Sequence, residues 1–115
     1  MSDNAVTLIQ EKEIDILKPE GEIVFANSHT LKEKTKSIIE ENDINELILD
    51  LDAISYLDSS GVGFIISLLK FLREKKGKLV ITNLNSKVRR VCELTKLNEI
   101  INIYESNEKA VKDFN

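Results

Sequence analysis

One cysteine and one histidine among 115 residues leave little room for several common chemistries. Cys92 alone excludes an internal disulfide and any multi-cysteine metal site. Adding His29 still leaves too few soft ligands for tetrahedral zinc. An excess of basic residues is missing as well. Sixteen Lys and Arg stand against twenty Asp and Glu, a formal net charge of -4. That balance argues against a nucleic-acid or anionic-membrane surface. Lysines are interleaved with glutamates, as in Lys32-Glu33-Lys34 and Glu74-Lys75-Lys76, the pattern of a solvated helix face. Nor does any segment reach the roughly 18 apolar residues of a membrane span. The longest, Gly61 to Leu72, is interrupted by Ser67 and Lys70. Met1 to Asn4 are polar and lack the apolar run of a signal peptide. A cytoplasmic chain with a flexible N-terminus at 1–4 is therefore expected.

Catalytic constellations are missing too. Gly61-Val62-Gly63 has neither the third glycine nor the Lys-Ser/Thr ending of a phosphate loop. No Cys or Ser pairing singles out His29 as a base. Asp50, Asp52 and Asp58 lie near a strand end, as a phosphoacceptor aspartate would. The acidic pair after the first strand and the lysine after the last, which a receiver domain needs, are not evident. Cys92 falls on the apolar stripe of its helix and reads as a buried structural thiol. No enzyme is expected, with no catalytic residue, cofactor or metal.

What is present is a regular alternation of charged and apolar segments. Val6–Ile9 and Glu13–Leu17 read as strands, Lys18-Pro19-Glu20-Gly21 as a reversal, and Glu22–Phe25 as a third strand. Thr30-Leu31-Lys32-Glu33 has the form of a capping box. Leu31, Thr35, Ile38 and Ile39 then give a helical stripe to about Glu41. Leu47-Ile48-Leu49 with Leu51 reads as a strand covered on both faces. A second helix is expected from Ser59 or Ser60 to Lys76, with Gly77 as a left-handed cap. Leu79–Thr82 is the next strand, and a third helix carries Val88, Val91, Cys92 and Thr95. Ile100–Tyr104 closes the strands, and Glu108–Phe114 forms a last short helix. Strand–helix alternation from Glu22 onward predicts an α/β domain with right-handed crossovers and a mixed, mostly parallel sheet.

In such sheets function concentrates beyond the carboxyl ends of the strands. Four loops qualify: Ala26 to Thr30, Asp52 to Ser60, Asn83 to Ser86, and Glu105 to Asn107. The second holds Leu57-Asp58-Ser59-Ser60-Gly61-Val62-Gly63, two adjacent hydroxyls at a helix start. Read alone, the heptad is most simply a cap followed by two glycines. A phosphoryl group on one hydroxyl is compatible with that cap, because the helix dipole partly offsets the added charge. Along the helix, Gly63, Ser67, Lys70 and Glu74 form a narrow polar strip opposite a wide apolar arc. The sheet can cover Ile65, Leu69 and Leu72, while Val62 and Phe64, next to the serines, are contact candidates.

The run LILDLDAISYLDSSGVGFIISLLKFLREKKGKLVITNLNSKVRRVCELTKL resembles bacterial anti-sigma factor antagonists of the STAS domain family. Asp58 to Gly63 is its most specific element, and Val88–Val91 with Leu94–Leu97 a softer one. The resemblance implies one STAS-like domain over residues 5–115, its sheet flanked by about four helices. It implies that Ser59, directly after the aspartate, is phosphorylated by a partner that is both anti-sigma factor and serine kinase. The unphosphorylated form would bind that partner and release sigma factor, and a serine phosphatase would restore it. Asn27, Ser28, Asp58, Ser60, Gly61, Val62 and Phe64 are the expected contacts of a monomer that binds neither nucleic acid nor membrane. Where the family often has an aspartate after Gly-Glu-Ile, this chain has Val24. That departure keeps a second reading open: a STAS-type module of another signalling scaffold or of a lipid-transport complex.

Overall fold

A two-residue reversal sets the first pairing. The computed structural model describes residues 4–114. In it β1 (Val6–Glu11) turns through Lys12 and Glu13 into β2 (Ile14–Pro19). Both turn residues have positive φ, 51° and 70°, as a tight hairpin requires. Of the terminus expected to be flexible at 1–4, residues 1–3 lie outside the described residues. Asn4 is tied down: its amide donates to the carbonyls of Glu20 and Glu22 at 2.8 and 2.9 Å.

The expected reversal at Lys18–Gly21 does not occur as such. The chain changes sheets there instead. Pro19 still pairs with Val6, whereas Gly21, at φ 96°, already donates to the carbonyl of Ala53. β3 (Gly21–Ile23) then leads into α1 (Phe25–Glu41). β4 (Glu46–Asp50) is followed by β5 (Ile54–Leu57), α2 (Ser59–Glu74), β6 (Lys78–Thr82) and α3 (Ser86–Leu94). A 3-10 turn at Leu97–Glu99, β7 (Ile103–Tyr104), α4 (Asn107–Val111) and a 3-10 turn at Lys112–Phe114 complete the chain. The main sheet has the order β1-β2-β4-β6-β7, antiparallel only at β1–β2. β3 and β5 form a separate parallel pair. Sequence pattern places β5 within a loop, because a strand of four residues is too short an alternation to register.

The core explains the patterns. Leu17, Leu47, Leu49, Leu79 and Ile81 meet residues of α1, α2 and α3 in one apolar cluster. Ile16, Ile48 and Val80 meet Ala110 and Val111 of α4 in a second. β4 is thus covered on both faces, as its unbroken apolar run predicts. On α2, Ile65, Leu69 and Leu72 are buried, and the strip of Gly63, Ser67, Lys70 and Glu74 faces outward.

Two boundaries differ from expectation. α1 begins at Phe25, five residues before the capping-box threonine. At the end of α2, the left-handed residue is Lys76 (φ 62°), not Gly77. The amides of Lys76 and Gly77 donate to the carbonyls of Arg73 and Leu72, the two bonds of a Schellman ending. Gly77 is needed for space: a Cβ there would lie 2.0 Å from the carbonyl oxygen of Asn45. At Gly63 no atom lies within 4 Å of an added Cβ. Gly77→Ala is therefore expected to destabilise by about 3 kcal/mol through overpacking. Gly63→Ala is expected to stabilise by about 0.5–1 kcal/mol through helix propensity. Urea unfolding of both variants checks the contrast.

Candidate functional site

Two helix starts meet because two short strands do. β3 and β5 run parallel with Ile23 opposite Leu57, so the helices that follow them begin side by side. Asp58 joins them. One carboxylate oxygen accepts from the amides of Ser60 and Gly61 at 2.8 and 3.2 Å, capping α2. The other accepts from the amide of Phe25 at 3.2 Å, the first residue of α1. Val24 holds the cap position of α1 and has no side-chain acceptor. An acidic residue there would meet unpaired amides; Asp58 reaches one of them from the neighbouring element.

Asn27, expected as a partner contact, is 5% exposed. Its side-chain oxygen accepts from the amide of Val24 and its NH2 donates to the carbonyl of Glu22, both at 2.9 Å. It holds the β3–α1 turn. Gly61 is also buried. A Cβ on it would lie 2.6 Å from Leu57 Cβ and 2.7 Å from the carbonyl oxygen of Ile23, so glycine lets the first turn of α2 sit on the strand ends. Val62 and Phe64 are 6% and 3% exposed. They belong to the core because the apolar arc of α2 faces α1 as well as the sheet. The expected contacts Asn27, Gly61 and Val62 therefore turn inward, while Phe64, though buried, still reaches the groove between the helix starts.

Ser59 is exposed, and among the described residues its hydroxyl has no hydrogen-bond partner. Ser60 and Ser28 are half-buried. They share a groove of about 380 Å³ between the two helix starts. α1 contributes Phe25, His29 and Lys32 to its rim, α2 contributes Gly63 and Ser67, and Phe64 reaches its floor. No acidic side chain lines it. Phe25 is 84% exposed, an aromatic ring left in water where burial would return roughly 1.5–3 kcal/mol. Sequence reasoning missed it by ending a strand at Phe25. The available signal was the Asn27-Ser28 pair, which marks a helix start earlier than Thr30.

The remaining candidates are structural. Asp50 is buried, accepting from the Asp52 amide and from the side-chain amides of Asn83 and Asn107 at 2.9–3.0 Å. Asp52 pairs with Lys18 at 3.8 Å, so the three aspartates serve separate ends. Among the described residues no group of His, Cys, Asp and Glu is arranged to hold a metal ion, and no helix is long and apolar enough to cross a membrane. Burial pushes the Cys92 thiol up to about 11, against a lowering by Arg89 and with a further rise from Glu93.

The STAS domain model matches residues 5–110, and the chain belongs to that family. It is 30% identical to the anti-sigma-B factor antagonist of Bacillus subtilis strain 168 over 105 residues, 90% of this chain and 94% of that protein. The crystal structure of TM1081 from Thermotoga maritima, a candidate anti-sigma factor antagonist, superposes with a TM-score of 0.86. Identity there is 27%, over 94% of this chain and 92% of that one. The anti-sigma factor antagonist SpoIIAA in its unphosphorylated form shares the fold, with a TM-score of 0.76 at 22% identity over 96% of both chains.

Replacing Asp58 with Ala is expected to cost about 1–2 kcal/mol through the lost cap and to speed amide exchange at Phe25, Ser60 and Gly61 together. Asp58→Asn, whose amide nitrogen can no longer accept from Phe25, should speed exchange chiefly at that residue. Hydrogen exchange followed by NMR reads both. Cys92 should resist iodoacetamide at pH 8 in the folded protein and react promptly in urea, followed by mass spectrometry; the neutral thiol is a poor nucleophile.

Proposed function

We propose that this STAS domain is an anti-sigma factor antagonist whose binding surface is the paired start of α1 and α2, switched by phosphorylation of Ser59. The observation that carries the reading is the exposed, unbonded Ser59 hydroxyl beside an Asp58 carboxylate already committed to three backbone amides. The Ser59 hydroxyl lies outside the bonds that Asp58 makes, so modification leaves the caps in place. The relatives named anti-sigma factor antagonists support the partner class.

In the unphosphorylated state the groove offers a partner an exposed aromatic ring, three serines, His29 and Lys32, with no acidic lining among the described residues. Docking would cover Phe25 and exclude water from the helix starts. An anti-sigma factor that is also a kinase would transfer the terminal phosphoryl of ATP to Ser59 Oγ. The hydroxyl proton passes to a base of the kinase, the bond to the bridging oxygen breaks, and ADP leaves. The new group carries about -1.5 to -2 charges at pH 7. The amino end of α2 favours that charge by roughly 0.3–1 kcal/mol. Burying it in an interface that fitted a neutral hydroxyl opposes binding far more strongly. The fold survives and the complex does not. Hydrolysis by a serine phosphatase returns the binding form.

One observation favours the second reading, a STAS module of a signalling scaffold or lipid-transport complex: Val24 puts no carboxylate at the start of α1. The two readings part in one experiment. Incubation with the cognate anti-sigma factor and ATP is expected to place one phosphoryl group on Ser59, mapped by mass spectrometry. Ser59→Ala should bind that factor within about twofold of wild type, and Ser59→Asp at least tenfold more weakly, a difference of about 1.4 kcal/mol or more. No complex with wild type, together with association with transporter or scaffold subunits, would favour the second reading.

A further inference from the structure

We propose that the outer face of α3 is a second contact surface for the same partner, taking an acidic segment that carries an apolar side chain. The inference rests on the reading of the chain as an anti-sigma factor antagonist and extends its interface beyond the groove. Lys87 and Arg90 are exposed and Arg89 half-buried. They flank a shallow depression of about 390 Å³ with Ser86 and a single acid, Glu93. Among the described residues none of the three cations forms an ion pair. Elsewhere in this acidic chain, Lys18, Lys78 and Lys109 form ion pairs. Two of the chain's three arginines are here, the residue type best suited to bidentate binding of carboxylates and enriched at interfaces.

Beside them, Leu94 is 71% exposed. Lys87, Arg90 and Leu94 are spaced by three and four residues, so they share one stripe of the helix. An isolated leucine in water needs no explanation. One aligned with two unpaired cations and next to a third makes a mixed surface that an acidic, partly apolar protein segment would complement in both charge and contact. A lipid surface fits less well. The helix has only nine residues and a single exposed apolar side chain, too little to embed.

The face is continuous with the phosphorylation site through β5. Asn85 caps α3, accepting from the amide of Val88 at 2.8 Å. Its NH2 donates to the carbonyls of Ile54 and Ser55 at 3.0 and 3.2 Å. β5 then passes through half-exposed Tyr56 to Asp58 and Ser59. A partner that covers Ser59 and extends along the four residues of β5 reaches the start of α3; an ordinary interface, about 800 Å² per side, has room for such a contact.

The test compares two charge reversals of equal size, K87E/R90E on α3 and K109E/K112E at the far face of the sheet. Affinity for the purified cognate anti-sigma factor is measured by calorimetry at low and high salt, after urea unfolding shows each variant folded. K87E/R90E is expected to weaken binding at least tenfold at low salt and to flatten its salt dependence, and K109E/K112E to change it less than twofold. Leu94→Ser should weaken binding several-fold with the salt dependence unchanged. Equal effects of the two reversals, or none from either, would overturn the proposal while leaving the Ser59 reading standing. So would loss, in K87E/R90E alone, of binding to phosphatidylserine vesicles with anti-sigma factor affinity intact, which would make the face a membrane contact. No complex with wild-type protein would overturn the antagonist reading and this one with it.

Discussion

The carboxylate of Asp58 is the constraint on which the site depends. Its two oxygens serve helices that are 33 residues apart in sequence at their point of contact. On one side it accepts from the first turn of its own helix, and on the other from the first amide of α1. Without it, both starts would expose amides to water and the groove between them would lose its fixed width. A carboxylate near two helix amino ends is also well placed electrostatically, since both dipoles favour negative charge there. Ser59, the proposed switch, follows this brace directly, and its hydroxyl takes no part in it.

Around that brace the small parallel pair β3–β5 does what the main sheet does not. It leaves the five-stranded sheet at Gly21 and carries two strand ends into register. Gly61 lets α2 settle against those ends, where any larger residue would strike Leu57 and Ile23. Asn27 closes the other side with its two bonds to the β3–α1 turn. The residues around the serines thus divide into those that hold and those that face outward. Asp58, Asn27, Gly61, Val62 and Phe64 hold, while Ser59 and Phe25 face the solvent.

Charge follows the same division. The chain as a whole is acidic, yet the groove has no acidic lining and α3 gathers unpaired cations. Net charge therefore describes solubility here and says little about local recognition. A negative group added at Ser59 enters a setting that tolerates it within the fold, through the amino end of α2. A partner that fitted a neutral hydroxyl does not tolerate it.

Much of this was legible in the chain. The doubly covered strand β4, the amphipathic faces of α1 and α2 and the burial of Cys92 follow from local periodicity, because hydrophobic spacing alone decides which side of an element faces a core. A cap at Asp58 or one of the serines was legible too, because a cap bonds amides only two and three residues away; the structure gives it to Asp58. Its bond to Phe25 was not, nor the early start of α1, since both depend on β3 pairing with a strand too short to recognise. Gly77 and Lys76 exchanged roles because the approach of Asn45 from another element left no room for a Cβ. The exposure of Phe25 and the burial of Val62 and Phe64 were likewise settled only when α1 packed on α2. Most of the elements, their apolar faces and a serine pair at a helix start can be read from local sequence. Which neighbours of that serine are buried in the brace and which face solvent depends on the tertiary structure, because distant backbone groups complete the hydrogen bonds and steric limits that separate the two.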